Sequence, residues 1–223
     1  MSAVAEGPSR ASALVATLRR QGIVDETVLA AIERTDRALF VPSTFADHAW
    51  DNVALPIGSG QTISQPAVVA MMTEALETND RHNVLEIGTG SGYQAAILSL
   101  ICRRVFTIER HRDLLRDAER LFARLNLRNI VARFGDGSKG WPESAPFDRI
   151  LFTAAAPTLP AALVAQLAPD GIMVGPIGDV RRVQTLMRYR RREDGSMDHE
   201  DLGRVRFVPL VPGLPRRPAE VGA

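Results

Sequence analysis

From Asn83 onward the chain alternates short apolar runs with amphipathic ones, and few folds accept that rhythm. "NVLEI", "RVFTI", "NIVARF", "FDRILFTA" and "GIMVGPI" have the length and the apolar density of strands buried on both faces. Between them "YQAAILSLI", "RDLLRDAERLFARLNL" and "PAALVAQL" read as helices. Buried strands separated by helices predict a doubly wound α/β fold with a mostly parallel sheet. The rhythm breaks at "VQTLMRYRRREDGSMDHEDLGRVRFVPLV", where an "EDGS" turn joins two extended runs. That stretch predicts an antiparallel hairpin at the end of the sheet.

Before Asn83 the reading is helical and then irregular. Leu14, Val15 and Leu18 in "SALVATLRRQGI" recur at helical spacing, and Asp25 is placed to cap "DETVLAAIERTD". Pro42, Pro56 and Pro66 punctuate the segment that follows, and Pro66 suits the first turn of a helix over "AVVAMMTEALE". The first eleven residues and the tail "GLPRRPAEVGA" read as frayed ends. The expected division is one domain in four parts. These are an N-terminal helical and substrate-loop segment (12–80), an α/β core (81–178), a C-terminal hairpin (179–213) and a flexible tail (214–223).

Composition narrows the setting. The 223 residues are long enough for one substantial domain, and 27 basic against 26 acidic side chains leave a net charge of +1. That balance gives no reason to expect a nucleic-acid partner. Cys102 is the single cysteine, which rules out an intramolecular disulfide and fits a reducing compartment. Because it follows "AAILSLI", it reads as a buried structural residue. No secretory pattern opens the chain, and no apolar stretch approaches the length of a membrane span, so a cytoplasmic protein is expected.

"VLEIGTGSGY" sets Gly88, Thr89, Gly90 and Gly92 after a strand and before a helix, a place where backbone approaches a ligand closely. The spacing is not the dinucleotide G-x-G-x-x-G, and no lysine follows to grip phosphate. Glu86 ends the first strand beside this loop, where a carboxylate suits a cationic ligand better than a pyrophosphate. Glu109 closes the next strand, where an acidic side chain accepts bonds from ribose hydroxyls. Asp136, in "FGDG", stands at the same edge and is expected to face an adenine amino group. A ribose, an adenine and a cationic end without phosphates describe S-adenosyl-L-methionine. Its ordinary product is S-adenosyl-L-homocysteine.

Methyl transfer from a sulfonium is a displacement whose catalysis is mainly alignment. No base is evident near the loops. His48, His82, His111 and His199 are scattered, read as surface or helix-end residues, and give no metal-ligand spacing. A carboxylate acceptor, already ionised near pH 7, needs no base.

"AWDNVALPIGSGQTISQP", "VLEIGTGSGYQAAIL", "FGDG", "FDRILFTAAAP" and "RFVPLV" together resemble the protein-L-isoaspartate (D-aspartate) O-methyltransferases, from about residue 12 to 213 in one register. The resemblance implies a Rossmann-like S-adenosylmethionine-dependent fold. It also implies an enzyme that esterifies the free α-carboxylate of isoaspartyl residues in damaged proteins, starting their repair through a succinimide. By the same likeness Ser64 matches the active-site serine, with Thr62 and Ile63 flanking the acceptor carboxylate. Gly88 and Gly90 match the cofactor loop, Glu109 the ribose contact, and Asp136 with Gly137 the adenine side. "GSGQTISQP" then becomes a lid over the cofactor, and "RFVPLV" a segment that closes the cleft. Read without the resemblance, Ser64 is a helix N-cap ahead of "AVVAMM". Ser138 departs from the family, in which a large aromatic is commoner at that position, and the Pro- and Arg-rich tail departs as well.

The substrates expected are isoaspartyl proteins and peptides, with no nucleic acid, membrane or metal, and the chain is expected to act as a monomer. Three other readings remain: an RNA methylase using the basic run "MRYRRRE", a non-catalytic nucleoside-binding module, and an NAD oxidoreductase. The first is opposed by the alternation of that run on a hairpin strand, and the last by the glycine spacing and by Glu86.

Overall fold

The computed structural model of the protein describes residues 9–215. Of the ends read as frayed, residues 1–8 and 216–223 lie outside the described residues, whereas the chain is already helical at Arg10. Helix α1 (Arg10–Arg20) buries Leu14, Val15 and Leu18 on one stripe, and the Ser9 hydroxyl accepts the Ser12 N–H at its start. Helix α2 (Glu26–Arg34) begins as expected, its Asp25 carboxylate accepting the N–H groups of Thr27 and Val28. Helix α3 (Pro66–Ala75) opens on its proline, whose missing N–H costs nothing at that position.

The segment between α2 and α3 is more ordered than its prolines suggest. It holds two 3-10 turns, Arg37–Phe40 and Ser43–His48, and a small antiparallel ribbon of β1 (Leu55–Pro56) and β2 (Thr62–Ile63). A two-residue ribbon has little stability of its own.

The core follows the predicted alternation. Strands β3 (Asn83–Ile87), β4 (Arg104–Glu109), β5 (Ile130–Phe134), β6 (Phe147–Phe152) and β7 (Leu167–Ile177) run parallel. They are followed by the antiparallel β8 (Gln184–Arg191) and β9 (Met197–Val205). The sheet order is β5-β4-β3-β6-β7-β8-β9, so the winding reverses between β3 and β6. Helix α4 (Tyr93–Ser99) is buried throughout, as a central covering helix must be. Helix α5 (Arg112–Arg124) buries Leu114, Leu115, Ala118, Leu121 and Phe122 and leaves its charges in water.

One expected helix is shorter than its apolar run. "PAALVAQL" forms a single helical turn, α6 (Ala161–Val164), and Leu167 already belongs to β7, where it pairs with Phe147. An apolar run of that length fits either structure, and pairing with a buried neighbour decides it. The "EDGS" hairpin is present, with Gly195 at φ +84 in the turn. Cys102 is buried, and burial pushes its thiol up to about 12. Among the described residues no helix is long and apolar enough to cross a membrane, and no group of three or more His, Cys, Asp or Glu could hold a metal.

Candidate active site

Every parallel strand of the sheet delivers its carboxyl end to one edge, and a cavity of 270 Å³ lies there at the reversal point. That is where open α/β sheets bind ligands. Its floor is the β3–α4 loop, Gly88 to Ser91, with Tyr93 and Gln94 from the start of α4. The ends of the neighbouring strands supply Glu109, Arg110, His111, Gly137, Thr153 and Ala154. Gly60 to Ser64 overhang one side, and Phe207 to Val211 close another.

The glycine loop is shaped by what packs behind it. Gly88 has φ +97, and a Cβ there would stand 2.4 Å from Thr153 Oγ1. Gly92 has φ +88, and a Cβ there would stand 2.6 Å from the Phe122 ring. Neither position admits a side chain. Glu109 braces the loop from the next strand: one carboxylate oxygen accepts the Gly90 N–H at 2.8 Å and the other the His111 N–H at 2.9 Å. Carboxylate oxygens each accept more than one bond, so Glu109 still has capacity for a ligand's hydroxyls. Thr89 also lines the cavity, and its hydroxyl meets that of Thr107 behind the loop at 2.6 Å.

Two acidic residues are placed differently from the sequence expectation. Glu86 does not line the cavity. Its side chain is fully buried beneath the loop, where one oxygen accepts the Thr107 hydroxyl at 2.5 Å and the other has no partner. Burial pushes its carboxyl up to about 8, helped by the nearby Glu109 charge and opposed by the Thr107 bond. Near pH 7 it is therefore mostly neutral and offers no carboxylate to a cation. Asp136 is also not part of the lining, although Gly137 is. One of its oxygens accepts both the N–H and the hydroxyl of Ser138, and the other accepts the Gly213 N–H at 2.7 Å. The carboxylate expected to face adenine fastens the C-terminal segment.

The lid residues converge as expected. Thr62 is exposed, Ile63 is buried and Ser64 is half-buried, and all three border the cavity. Ser64 is not the cap of α3. Gln65 holds that position without a side-chain bond, and the Ala67 N–H is satisfied from a distance by the Asn52 side chain. Among the described residues the Ser64 hydroxyl bonds no backbone group. The last wall, "RFVPLV", is fixed by bonds between Ala155 and both Val208 and Leu210, and from the Phe207 N–H to the Gln184 side chain.

Several wall residues had no place in the sequence reading. Thr153 sits at the carboxyl end of β6, the same edge that singled out Glu109, so its position was available as a signal. His111 does begin α5 as a helix-end residue, and it borders the cavity as well. Arg37 lies behind the lid, fully buried, and donates to the carbonyls of Ala49, Asp51, Val53 and Ser64. Nothing in its sequence neighbourhood marked it.

The cavity fits S-adenosylmethionine on its own chemistry. A Cβ built on Gly90 would meet nothing nearer than the Ile57 side chain at 3.5 Å, so bare backbone faces the space. The Glu109 carboxylate stands beside that backbone, and the cavity offers no cluster of cations suited to phosphates. Comparison with known proteins agrees. A protein-family model described as protein-L-isoaspartate (D-aspartate) O-methyltransferase matches residues 9–214. The protein-L-isoaspartate O-methyltransferase of Rhodospirillum rubrum is 57% identical over 213 residues, covering 95% of this chain and 97% of that one. That of Rhodospirillum centenum is 59% identical over 202 residues, covering 90% and 91%. A solved protein-L-isoaspartate O-methyltransferase superposes with a TM-score of 0.79 at 26% identity, covering 89% of this chain; the chain spans 65% of that structure's length. A Plasmodium falciparum protein of this methyltransferase type, crystallised with S-adenosyl-L-homocysteine, shares the fold with a TM-score of 0.77 at 24% identity, covering 89% and 97%. The chain therefore belongs to the protein-L-isoaspartate (D-aspartate) O-methyltransferase family, and is an enzyme that methylates isoaspartyl residues with S-adenosylmethionine at the start of their repair.

Proposed function

We propose that the acceptor carboxylate enters between the lid and the C-terminal segment and is received by Ser64, with Thr62 and Ile63 on either side. The observation that carries this reading is the Ser64 hydroxyl itself, half-buried at the cavity wall and used by no helix cap. S-adenosylmethionine, when bound, supplies an electrophilic methyl group on a sulfonium. The chain's own residues have the task of alignment. Gly88, Thr89 and Gly90 offer backbone along the cofactor, with Gly92 setting the turn into α4. Glu109 accepts from the ribose hydroxyls, and Gly137 lets the adenine side lie close to β3. A Cβ on Gly137 would stand 2.3 Å from the Ile87 side chain, so that position is closed to larger residues.

Ser64 donates to the incoming carboxylate and holds one oxygen in line, and no base is required because the nucleophile arrives ionised. Glu86 supports the loop from below as a neutral acid, and Asp136 fastens the closing segment. The chain works as a monomer in the reducing cytoplasm, where its one buried cysteine stays a thiol.

The experiment is radiolabelled methyl transfer to a matched pair of peptides, isoaspartyl and aspartyl, by the wild type and two variants. Ser64→Ala is expected to lower kcat/KM for the isoaspartyl peptide by about tenfold or more, the loss of one charge-assisted hydrogen bond. Its affinity for S-adenosylhomocysteine, measured by calorimetry, stays near that of the wild type. Glu109→Ala is expected to do the reverse, weakening the cofactor product first. Equal losses of both quantities in Ser64→Ala would remove the serine from its assigned place.

A further inference from the structure

We propose that Arg37, buried behind the lid, is a positioning residue for the methyl acceptor: it fixes the peptide at Ser64 so that the serine hydroxyl stays in the cavity. The inference rests on the reading of Ser64 as the group that meets the carboxylate.

The lid needs such a device. Its only regular structure is the ribbon of β1 and β2, two residues on each side, joined by Leu55 opposite Ile63 and Pro56 opposite Thr62. Arg37 stands beneath this segment with 0% of its surface exposed. One terminal nitrogen donates to the Ala49 carbonyl and, at 3.5 Å, to that of Asp51. The other donates at 3.0 Å to Val53 and at 3.0 Å to Ser64. A single planar fork thus gathers four carbonyls from a stretch that ends at the active-site serine. The bond to the Ser64 carbonyl fixes the peptide that directs the hydroxyl.

The bonding is unusual for a buried cation. Among the described residues Arg37 donates to carbonyls and bonds no carboxylate, and the Asp51 charge acts on it only from a distance. An anion arriving at Ser64 would find the Arg37 charge one peptide away, which favours a carboxylate over a neutral acceptor. A second path leads to the same cavity. The guanidinium carbon lies 5.7 Å from the Tyr93 ring centroid, and Tyr93 is a cavity wall residue. Both the Arg37 Nε and the Tyr93 hydroxyl are buried without a partner. Lysine keeps the charge but not the fork, because one ammonium cannot reach carbonyls spread over four residues in a fixed plane.

The test is a double-mutant cycle of Arg37→Lys and Ser64→Ala, read as kcat/KM for an isoaspartyl peptide and as the Kd for S-adenosylhomocysteine. Arg37→Lys is expected to lose about tenfold in kcat/KM while the Kd changes by less than about twofold. In the Ser64→Ala background the same substitution should cost almost nothing. Additive losses would overturn the proposal, since Arg37 would then act on the protein at large. A normal Arg37→Lys enzyme beside an impaired Ser64→Ala enzyme would overturn it alone. A normal Ser64→Ala enzyme would instead remove the reading of the serine, and this proposal with it. Should Arg37→Lys not fold, the wild type answers by NMR. The Arg37 Nε–H resonance of the S-adenosylhomocysteine complex is expected to shift on adding the isoaspartyl peptide and not the aspartyl one. No shift would overturn the proposal.

Discussion

Glu86 and Thr107 lie directly opposite one another on β3 and β4, and that register explains the buried acid. The pair shares a hydroxyl–carboxyl bond inside a sheet covered on both faces, so water never reaches the carboxyl. Its pKa rises from an ordinary 4.5 to about 8, first because of burial. Between those values the folded protein keeps a proton that the unfolded chain has released. The contribution of this group to stability is therefore complete below 4.5 and is lost as pH rises through about 8. Glu86→Gln cannot ionise, so its stability relative to the wild type should improve with pH, by a few kcal/mol between pH 5 and 8.5 at about 1.4 kcal/mol per pKa unit. Urea denaturation of the cofactor-free proteins at both pH values measures it, and a gap that did not move with pH would show that Glu86 is ionised when folded. The sequence located Glu86 at a strand end but not its neighbour, because pairing register is invisible in a single strand. Glu109, by contrast, was legible, since the carboxyl end of the adjoining strand leaves an acid at the crevice.

Among the elements, hydrophobic period decided most and failed where two structures share a pattern. The stripe of α5 and the doubly buried β3 follow from their own residues. The short α6 does not, because Leu167 joins β7 on account of Phe147, a partner twenty residues away. The closing segment after β9 has no period at all, and its place comes from three anchors: Gln184, Ala155 and Asp136. Asp136 is the outermost. Its slight burial alone would raise its carboxyl, but the bonds from Ser138 and Gly213 win and hold it below the ordinary carboxylate range. The clasp is consequently present at neutral pH and is lost only as pH falls through that depressed value. Removing it with Asp136→Ala should loosen the segment without unfolding the sheet. Trypsin cleavage after Arg206 is then expected to quicken several-fold, and affinity for S-adenosylhomocysteine to fall, because Phe207 to Val211 form a cavity wall. Cleavage at the wild-type rate would leave the anchoring to Gln184 and Ala155. Ser138, whose N–H and hydroxyl both meet the Asp136 carboxylate, is the residue that orients the clasp.

At the scale of the molecule, contacts between distant parts of the sequence organise both the charges and the cavity walls. The basic run that suggested RNA is largely paired internally: Arg188 meets Glu77 and Glu200, Arg190 meets Glu77, Arg192 meets Asp198, and Arg191 donates to the Leu167 carbonyl. Exposed pairs of this kind add little stability, but among the described residues they leave only Arg191 of the run without an acidic partner. The cavity walls come from the lid, the sheet edge and the closing segment, which lie between Gly60 and Val211. That long-range closure could not be read from local pattern; only the family resemblance joined "QTISQP" to "RFVPLV". The exposed large apolar residues among those described are Val24, Leu39, Val53, Val131, Val180, Val183, Val211 and Leu214, drawn from several separate stretches of the sequence. Single exposed apolar residues do not make an interface. The proposed monomer draws all of these walls from its own chain. Sedimentation equilibrium should give a mass near 24.3 kDa across a wide concentration range. Specific activity on an isoaspartyl peptide should stay constant as the enzyme is diluted. A doubled mass, with activity falling on dilution, would mean that a partner's surface supports the lid or the closing segment.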